Sequence, residues 1–174
     1  MCVIEERPVI ETQRLTLRVP AKADIERVAA FCVDHDVARM TTRMPSPYTR
    51  AHAEDFVARC RAQNRTRENT FAIDLVDEGL IGVVGLFPPV EGGLELGYWI
   101  GRPYWGRGYA TEAARALLAA CTPDAVDATI DPANLASWRI LEKLGFIVVG
   151  EEEDEYGLPT LRLHLEIGES AAAG

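Results

Sequence analysis

Long apolar runs are missing from this sequence. No stretch of its 174 residues approaches the roughly 18 consecutive apolar residues that a membrane-spanning helix needs. Residues 1–7 contain acidic side chains where a secretory signal would carry an apolar segment. We therefore expect a cytoplasmic protein with no membrane partner.

Cysteine and histidine are also scarce. The four cysteines stand at positions 2, 32, 60 and 121, too far apart for a paired-cysteine zinc site, and the last three are in phase with apolar neighbours on predicted helices. The three histidines, at positions 35, 52 and 164, lack the i, i+4 spacing of a helical metal site. We expect buried, reduced cysteines, ordinary histidines and no bound metal.

Positive charge is in short supply. The chain has 18 lysines and arginines against 27 aspartates and glutamates, which gives a formal net charge of −9. Nucleic-acid phosphates are bound by clusters of Lys and Arg, so this balance argues against a nucleic-acid partner. An acidic surface favours a cationic substrate mildly, and it is at least as well explained as a means of staying soluble.

What is present is the composition of an ordinary globular chain. Apolar residues make up 48% of the sequence and charged residues 26%, and no repeat or low-complexity linker divides it. A chain of this length usually folds as one domain. We predict a single domain over residues 1–169, a disordered tail at residues 170–174, and a monomer or homodimer.

Apolar periodicity predicts a mixed α+β fold. Strand-like patterns occur in seven runs, at residues 15–19, 70–76, 80–87, 94–100, 125–130, 146–150 and 160–167. Helical spacing occurs in four runs, near residues 25–32, 50–63, 110–121 and 134–144. Asn134 can cap the last of these helices, and Gly145 would close it. The order indicates a central, mixed and largely antiparallel sheet of six to seven strands, interrupted by about four helices.

Two glycines stand just before the clearest helix, in the segment WGRGYAT at residues 105–111. Glycine lets the backbone turn sharply, and the free N–H groups and dipole of a helix N-terminus attract phosphate. The segment lacks both the Gly-Lys-Ser/Thr ending of a Walker A loop and the third glycine of a dinucleotide fingerprint. On these residues alone it predicts either an anion site of another kind or a plain tight turn.

The surrounding residues resemble a known family. LGYWI at residues 96–100, followed by the glycine turn, is similar to the acyl-CoA pyrophosphate motif of the GNAT N-acetyltransferase superfamily. NLASWRILEKLGF at residues 134–146 resembles the second cofactor-contacting segment of that family. With ETQRLTLR at residues 11–18, the likeness is greatest to the Rim-type branch, which acetylates ribosomal-protein N-termini. It spans nearly the whole chain, although residues 40–95 are generic.

The resemblance implies a GNAT-like sheet whose fourth and fifth strands splay apart to admit acetyl-CoA, which donates an acetyl group to a primary amine. Backbone N–H groups of the glycine turn would hold the pyrophosphate, and strand 98–100 would pair with pantetheine. The family usually has Arg or Gln where this chain has Trp105, a change familiar in the Rim-type branch. The implied acetyl-CoA-binding residues are Tyr98, Trp99, Ile100, Trp105, Gly106, Arg107, Gly108, Tyr109, Ala110, Thr111, Asn134 and Ser137.

The chemistry implied by the resemblance needs a base, because an amine attacks only when neutral and amino groups have pKa values of about 8 to 10.4. Glu95, on the strand beside the expected thioester, is the first candidate base, and a solvent-facing residue is the alternative. Many relatives place a tyrosine acid where this chain has Leu141. That departure leaves Ser137, which matches a Rim-type serine, and Tyr98 as candidate proton donors to the leaving sulfur.

Two other functions remain open. The missing tyrosine is compatible with a non-catalytic acyl-CoA-binding or sensing module on the same fold, and the glycine turn with a small nucleotide- or phosphate-binding protein. The acceptor is not fixed: a protein N-terminus, a small-molecule amine, an amino acid and an aminoglycoside all fit. We expect its pocket between the first two helices, the loop at residues 44–48 and the last hairpin, where the acidic run 151–155 is either an attraction for cations or a solvated turn.

Overall fold

The computed structural model describes residues 9–39, 41, 44–63, 68–88, 93–154 and 157–167. Its strands are β1 (Ile10–Glu11), β2 (Leu15–Arg18), β3 (Asn69–Leu75), β4 (Gly79–Phe87), β5 (Glu95–Ile100), β6 (Ala125–Ile130), β7 (Ile147–Glu153) and β8 (Pro159–Glu166). Its helices are α1 (Ile25–Cys32), α2 (His35–Ala38), α3 (Arg50–Ala62), α4 (Tyr109–Cys121) and α5 (Leu135–Leu144). The strands form one sheet in the order β1-β2-β3-β4-β5-β6-β8-β7.

The predicted fold class is confirmed. Every strand pair in the sheet is antiparallel except β5 with β6, which is parallel. The additions to the predicted elements are β1, which has two residues, and α2, which has one turn, and both are too short to show a periodic pattern. The predicted fourth and fifth strands are therefore β5 and β6. The predicted tail at residues 170–174 and the end of the acidic run at residue 155 lie outside the described residues.

The apolar core is divided between the two faces of the sheet. Neighbouring residues of a strand point to opposite faces, and in β3 Phe71 and Ile73 belong to one cluster while Ala72 belongs to the other. The larger cluster packs under α4 and α5, which we name the α4/α5 face. The smaller one lies under α1 and α3, on the α1/α3 face.

The cysteines of the helices are buried, as predicted. Cys32 and Cys60 remain thiols and pack on the α1/α3 face. Cys121, at the end of α4, is also buried but is disulfide-bonded, so the prediction of reduced cysteines is wrong at that position. In the ranges that the structure describes, no helix is both long and apolar enough to cross a membrane.

Candidate active site

A gap opens in the sheet between β5 and β6. Glu95 and Asp127 form the register pair that joins these strands, and the Asp127 N–H donates to the Leu94 carbonyl oxygen at 2.8 Å. On the other side of β5, the Gly101 N–H donates to the Ile81 oxygen of β4 at 2.8 Å. Backbone groups of a strand alternate between its two neighbours, so those of Tyr98 point away from β4 and into the gap.

A cavity of about 370 Å³ passes through this gap from one face of the sheet to the other. Residues 95–99 of β5 and 128–130 of β6 form its two edges within the sheet. Ser137 and Leu141 of α5 line it on the α4/α5 face. On the α1/α3 face the walls are built from Val28, Cys32, Thr41, Met44, Pro45, Tyr48, His52, Asp55, Phe56, Arg59, Cys60 and Gln63.

The glycine turn leads into α4. Gly106 and Gly108 have φ angles of 73° and 79°, a region that strongly favours glycine, and Gly108 is the residue that caps α4. The Glu112 N–H donates to the Gly108 carbonyl at 3.1 Å and closes the first turn of the helix. The N–H groups of Tyr109, Ala110 and Thr111 are then those that a helix leaves without an intrahelical acceptor. The turn has the geometry of an anion site.

Two hydroxyl groups meet at the gap. The Tyr98 hydroxyl of β5 lies 2.7 Å from the Ser137 Oγ of α5, and both residues line the cavity. Burial raises the pKa of Tyr98 to about 12, despite the opposing effect of the hydrogen bond with Ser137, so the phenol is neutral at pH 7. The two predicted proton donors therefore form one hydrogen-bonded pair.

Asn134 positions Ser137. Its side-chain oxygen accepts the Ser137 N–H at 3.0 Å and caps α5, and both residues are buried. The helix ends at Gly145, which has a φ angle of 93°. The capping role predicted for Asn134 and the end predicted at Gly145 are both confirmed.

The family model of the acetyltransferase (GNAT) domain matches residues 14–147 of this chain. The chain belongs to the GNAT acetyltransferase family. It is 27% identical over 143 residues to the uncharacterized N-acetyltransferase p20 of Bacillus licheniformis, covering 78% of this chain and 80% of that protein. The predicted family and the acyltransferase class of the enzyme are confirmed.

Solved structures share the fold of this GNAT acetyltransferase. RimJ of Mycobacterium smegmatis, in complex with CoA-disulfide, superposes with a TM-score of 0.78 at 21% identity, over 92% of this chain and 88% of that one. The microcin C7 self-immunity acetyltransferase MccE, in complex with acetyl-CoA and AMP, has a TM-score of 0.74 at 16% identity, over 89% of this chain and 93% of that one. A Rim-type enzyme is thus among the proteins of the same fold.

Other predicted site residues of this acetyltransferase have structural roles as well. The Trp105 indole N–H donates to the Ile100 carbonyl oxygen at 2.6 Å, which fastens the start of the glycine turn to the end of β5. Trp99 packs on the α1/α3 face against Phe31, with ring centroids 6.3 Å apart. By alternation the Trp99 backbone faces β4, so its side chain is the part that lines the cavity.

Glu95 lies at the closed end of the gap. It shares a sheet face with Gly97 and Trp99, which places its carboxylate on the α1/α3 side, whereas Tyr98 and Ser137 meet on the α4/α5 side. Both sets line the same cavity. The predicted base and the predicted donors therefore approach the gap from opposite faces.

The segments that we predicted around an acceptor pocket line this cavity only in part. The α1 and α3 helices and the loop at residues 44–48 line the cavity, but within the described ranges the β7–β8 hairpin contributes nothing to it. His164 instead contacts Asp127, with Nδ1 2.6 Å from Oδ1, and His52 joins the N-terminal cap of α3. No group of three or more His, Cys, Asp or Glu side chains in the described part of the chain could hold a metal ion.

One contact of the glycine turn was missed by sequence reasoning. Arg14 reaches the turn from the segment before β2, and its Nη1 donates to the Arg107 carbonyl oxygen at 3.0 Å. Arg14 lies within the predicted Rim-like segment at residues 11–18, but the motif gave it no role. The resemblance therefore included Arg14, but nothing in the neighbouring residues indicated that its side chain would contact the glycine turn.

Proposed function

We propose that this enzyme transfers the acetyl group of acetyl-CoA to a primary amine by direct attack through a tetrahedral intermediate. The observation that carries the proposal is the Tyr98–Ser137 hydroxyl pair, 2.7 Å apart inside the gap between β5 and β6. Solved structures of the same fold support the coenzyme, since RimJ holds CoA-disulfide and MccE holds acetyl-CoA. The acceptor is a protein N-terminus or a small-molecule amine.

Coenzyme binding would use the backbone. The N–H groups of the turn from Gly106 to Ala110, with the Thr111 hydroxyl, would hold the pyrophosphate at the N-terminus of α4. The pantetheine arm would lie in the gap and bond to the Tyr98 carbonyl oxygen and the Ile100 N–H, since the Ile100 carbonyl is occupied by Trp105. Asn134 and Ser137, buried at the start of α5, would line the far side.

The amine would enter from the α1/α3 face. Glu95 would take a proton from the ammonium, which frees the nitrogen lone pair to form the bond to the acetyl carbon. Negative charge then develops on the acetyl oxygen, and the Tyr98 N–H in the gap would donate to it. The carbon–sulfur bond breaks next, and the sulfur keeps its electron pair. The nitrogen then loses its second proton to water as the amide forms.

The hydroxyl pair would receive that sulfur. A phenol with a pKa of about 12 gives up its proton less readily than a thiol, whose pKa is about 8.5, so full proton transfer from Tyr98 to the thiolate is unfavourable. Tyr98 and Ser137 would instead donate hydrogen bonds to the thiolate. The amine proton held by Glu95 can then leave to solvent, and the thiol takes its proton from water.

Calorimetric titration tests the coenzyme site with matched glycines. Gly106 and Gly79 have similar φ angles, 73° and 78°, and a Cβ added at either meets no atom within 4 Å. Val at each position should strain the backbone alike, but only Gly106→Val places a side chain in the anion site. We expect native protein and Gly79→Val to bind acetyl-CoA, and Gly106→Val to lose binding.

Failure of native protein to bind acetyl-CoA would refute the proposal. Native binding by Gly106→Val would refute the location of the site, and an equal loss in both glycine variants would assign the loss to backbone strain. The non-catalytic acyl-CoA-binding alternative is separated by thiol release: a protein that binds acetyl-CoA but acetylates neither peptides with free N-termini nor a panel of small primary amines is a binding module.

A further inference from the structure

Three contacts hold the Arg14 side chain against the glycine turn and the start of α4. Its Nε donates to the Glu112 carboxylate at 2.7 Å, and its Nη2 approaches the same oxygen at 2.6 Å. Its Nη1 donates to the Arg107 carbonyl at 3.0 Å, across 93 positions of sequence. The guanidinium carbon lies 4.6 Å from the centre of the Tyr109 ring, within the range of a cation–π contact.

Glu112, the carboxylate partner of Arg14, is also held by several hydrogen bonds. One oxygen of Glu112 accepts the Thr12 hydroxyl at 2.7 Å and the Arg14 N–H at 3.0 Å, while the other accepts the guanidinium. Burial alone would raise the pKa of Glu112, but these hydrogen bonds lower it, so the carboxylate stays ionised. Both of its oxygens are therefore directed to the segment before β2.

The contact with Arg107 determines which way the turn faces. A peptide unit is planar and trans, so the Gly108 N–H points opposite to the Arg107 carbonyl. Because Arg14 holds that carbonyl toward itself, the Gly108 N–H points away from Arg14. Residues 106 and 108 are glycines, whose backbone has the greatest conformational freedom, and an external tie limits that freedom.

Charge gives the contact a second role. Glu112 lies in the first turn of α4, close to the proposed pyrophosphate position, where an unpaired carboxylate would repel the coenzyme. The guanidinium cancels that charge. A surface ion pair is usually worth little, but this one also holds a backbone carbonyl of the site.

We propose that the Arg14–Glu112 pair is a positioning element of the coenzyme site, which holds the glycine turn with its N–H groups toward the pyrophosphate and neutralises the nearby carboxylate. The proposal rests on the proposed function, because it presumes that the turn binds acetyl-CoA. It assigns a role in coenzyme recognition to the segment before β2.

The test compares two acetyl donors. Acetyl-CoA reaches the turn through its pyrophosphate, whereas S-acetylpantetheine lacks the nucleotide and pyrophosphate. We expect Arg14→Ala to raise the Kd for CoA and the KM for acetyl-CoA about tenfold, with kcat unchanged and with kcat/KM for S-acetylpantetheine unchanged. Arg14→Lys should fall in between, because one ammonium cannot hold Glu112 and the Arg107 carbonyl together in the same geometry.

A double variant isolates the charge effect. Glu112→Gln combined with Arg14→Ala should bind CoA at least as tightly as Arg14→Ala alone, because the unpaired carboxylate is gone. Arg50→Ala is the matched control, since Arg50 also joins two partners, the carboxylates of Glu26 and Glu54, but lies on α3 away from the turn. It should bind CoA as the native protein does.

Three results would overturn the inference. Native CoA affinity in Arg14→Ala would show that the tie is dispensable, and an equal loss with S-acetylpantetheine would indicate a general structural defect. An equal loss in Arg50→Ala would show that any such ion pair matters. Failure of the native protein to bind CoA would refute the proposed function instead, so the two failures are distinguishable.

Discussion

The two faces of the sheet differ in the groups that they contribute to the candidate site. On the α4/α5 face the candidate site combines the Tyr98–Ser137 hydroxyl pair with backbone groups, which are placed by glycines with positive φ and by the Asn134 cap. On the α1/α3 face the cavity is walled by side chains from separate segments, many of them apolar or aromatic. Backbone geometry suits a ligand common to a family, whereas side-chain walls are free to vary with the acceptor.

Among the variants that test this difference between the faces, we expect the largest effect on kcat from changes on the α4/α5 side. Tyr98→Phe combined with Ser137→Ala should lower kcat roughly 100- to 1,000-fold, because the thiolate then loses both hydrogen-bond donors. Each single change should cost much less, since one hydroxyl remains. Thiol release measures kcat, and calorimetry should show an unchanged Kd for acetyl-CoA.

Tyr104→Phe is the matched control for the hydroxyl pair. The Tyr104 hydroxyl contacts Glu78 and Arg27, both outside the cavity lining, so its loss should leave kcat near the native value. Strictly additive effects of Tyr98→Phe and Ser137→Ala would contradict a shared role.

The next largest effect tests the opposite face. Glu95→Gln should lower kcat/KM for the amine about 100-fold near pH 7, where the acceptor is mostly protonated. The deficit should narrow as the pH rises past the pKa of the amine, because a neutral amine needs less help from a base. A deficit that stays constant across the pH profile would mean that Glu95 is not the base.

A smaller effect, on the KM for the amine, tests whether the two faces bind different substrates. Phe56→Ala removes an aromatic wall on the α1/α3 face, and we expect the KM for the amine to rise about tenfold while the Kd for acetyl-CoA stays unchanged. Phe56→Leu, which keeps an apolar wall, should recover most of the affinity. A change in acetyl-CoA binding instead would show that the faces are not separate.

The smallest effect concerns the scaffold beneath α1. Burial alone would raise the pKa of Asp24, but hydrogen bonds from Arg18 and the Ala21 N–H lower it below its ordinary 3.8. A lowered pKa stabilises the fold above that ordinary value, and the contribution is lost as pH falls through the folded-state pKa. Asp24→Asn should therefore cost about 1 kcal/mol in the free energy of unfolding near pH 7.

Chemical unfolding at several pH values measures that difference. It should shrink toward zero well below pH 3.8, where the native carboxyl is also protonated. A difference that persists in acid would assign the stabilisation to packing. In either case acetyl-CoA affinity should not change, since Asp24 lies on the α1/α3 side.

Local sequence predicted the parts of the site that depend on local chemistry. The glycine turn, the Asn134 cap and the end of α5 at Gly145 are each encoded within a few residues, and they lie where expected. The approach of Tyr98 to Ser137 could not be predicted, because it depends on how α5 docks across the gap. The same holds for Arg14, whose partners are more than ninety positions away.

The acceptor walls were only partly predictable for a related reason. They are assembled from α1, α3 and a loop, and no residue among them carries a motif. The last hairpin was expected there, but its charged residues, such as Arg162 and His164, pair with Asp127 instead.

The gap between β5 and β6 also leaves a row of peptide groups facing no neighbouring strand inside an otherwise continuous sheet. Trp105 occupies the Ile100 oxygen at one end of that row, so this oxygen does not accept a hydrogen bond from β6. In the proposed complex, the pantetheine arm would hydrogen-bond to these peptide groups of β5, as an additional strand of the sheet would. The thermal midpoint of this protein should then rise with acetyl-CoA concentration, as expected when a ligand binds the folded state alone.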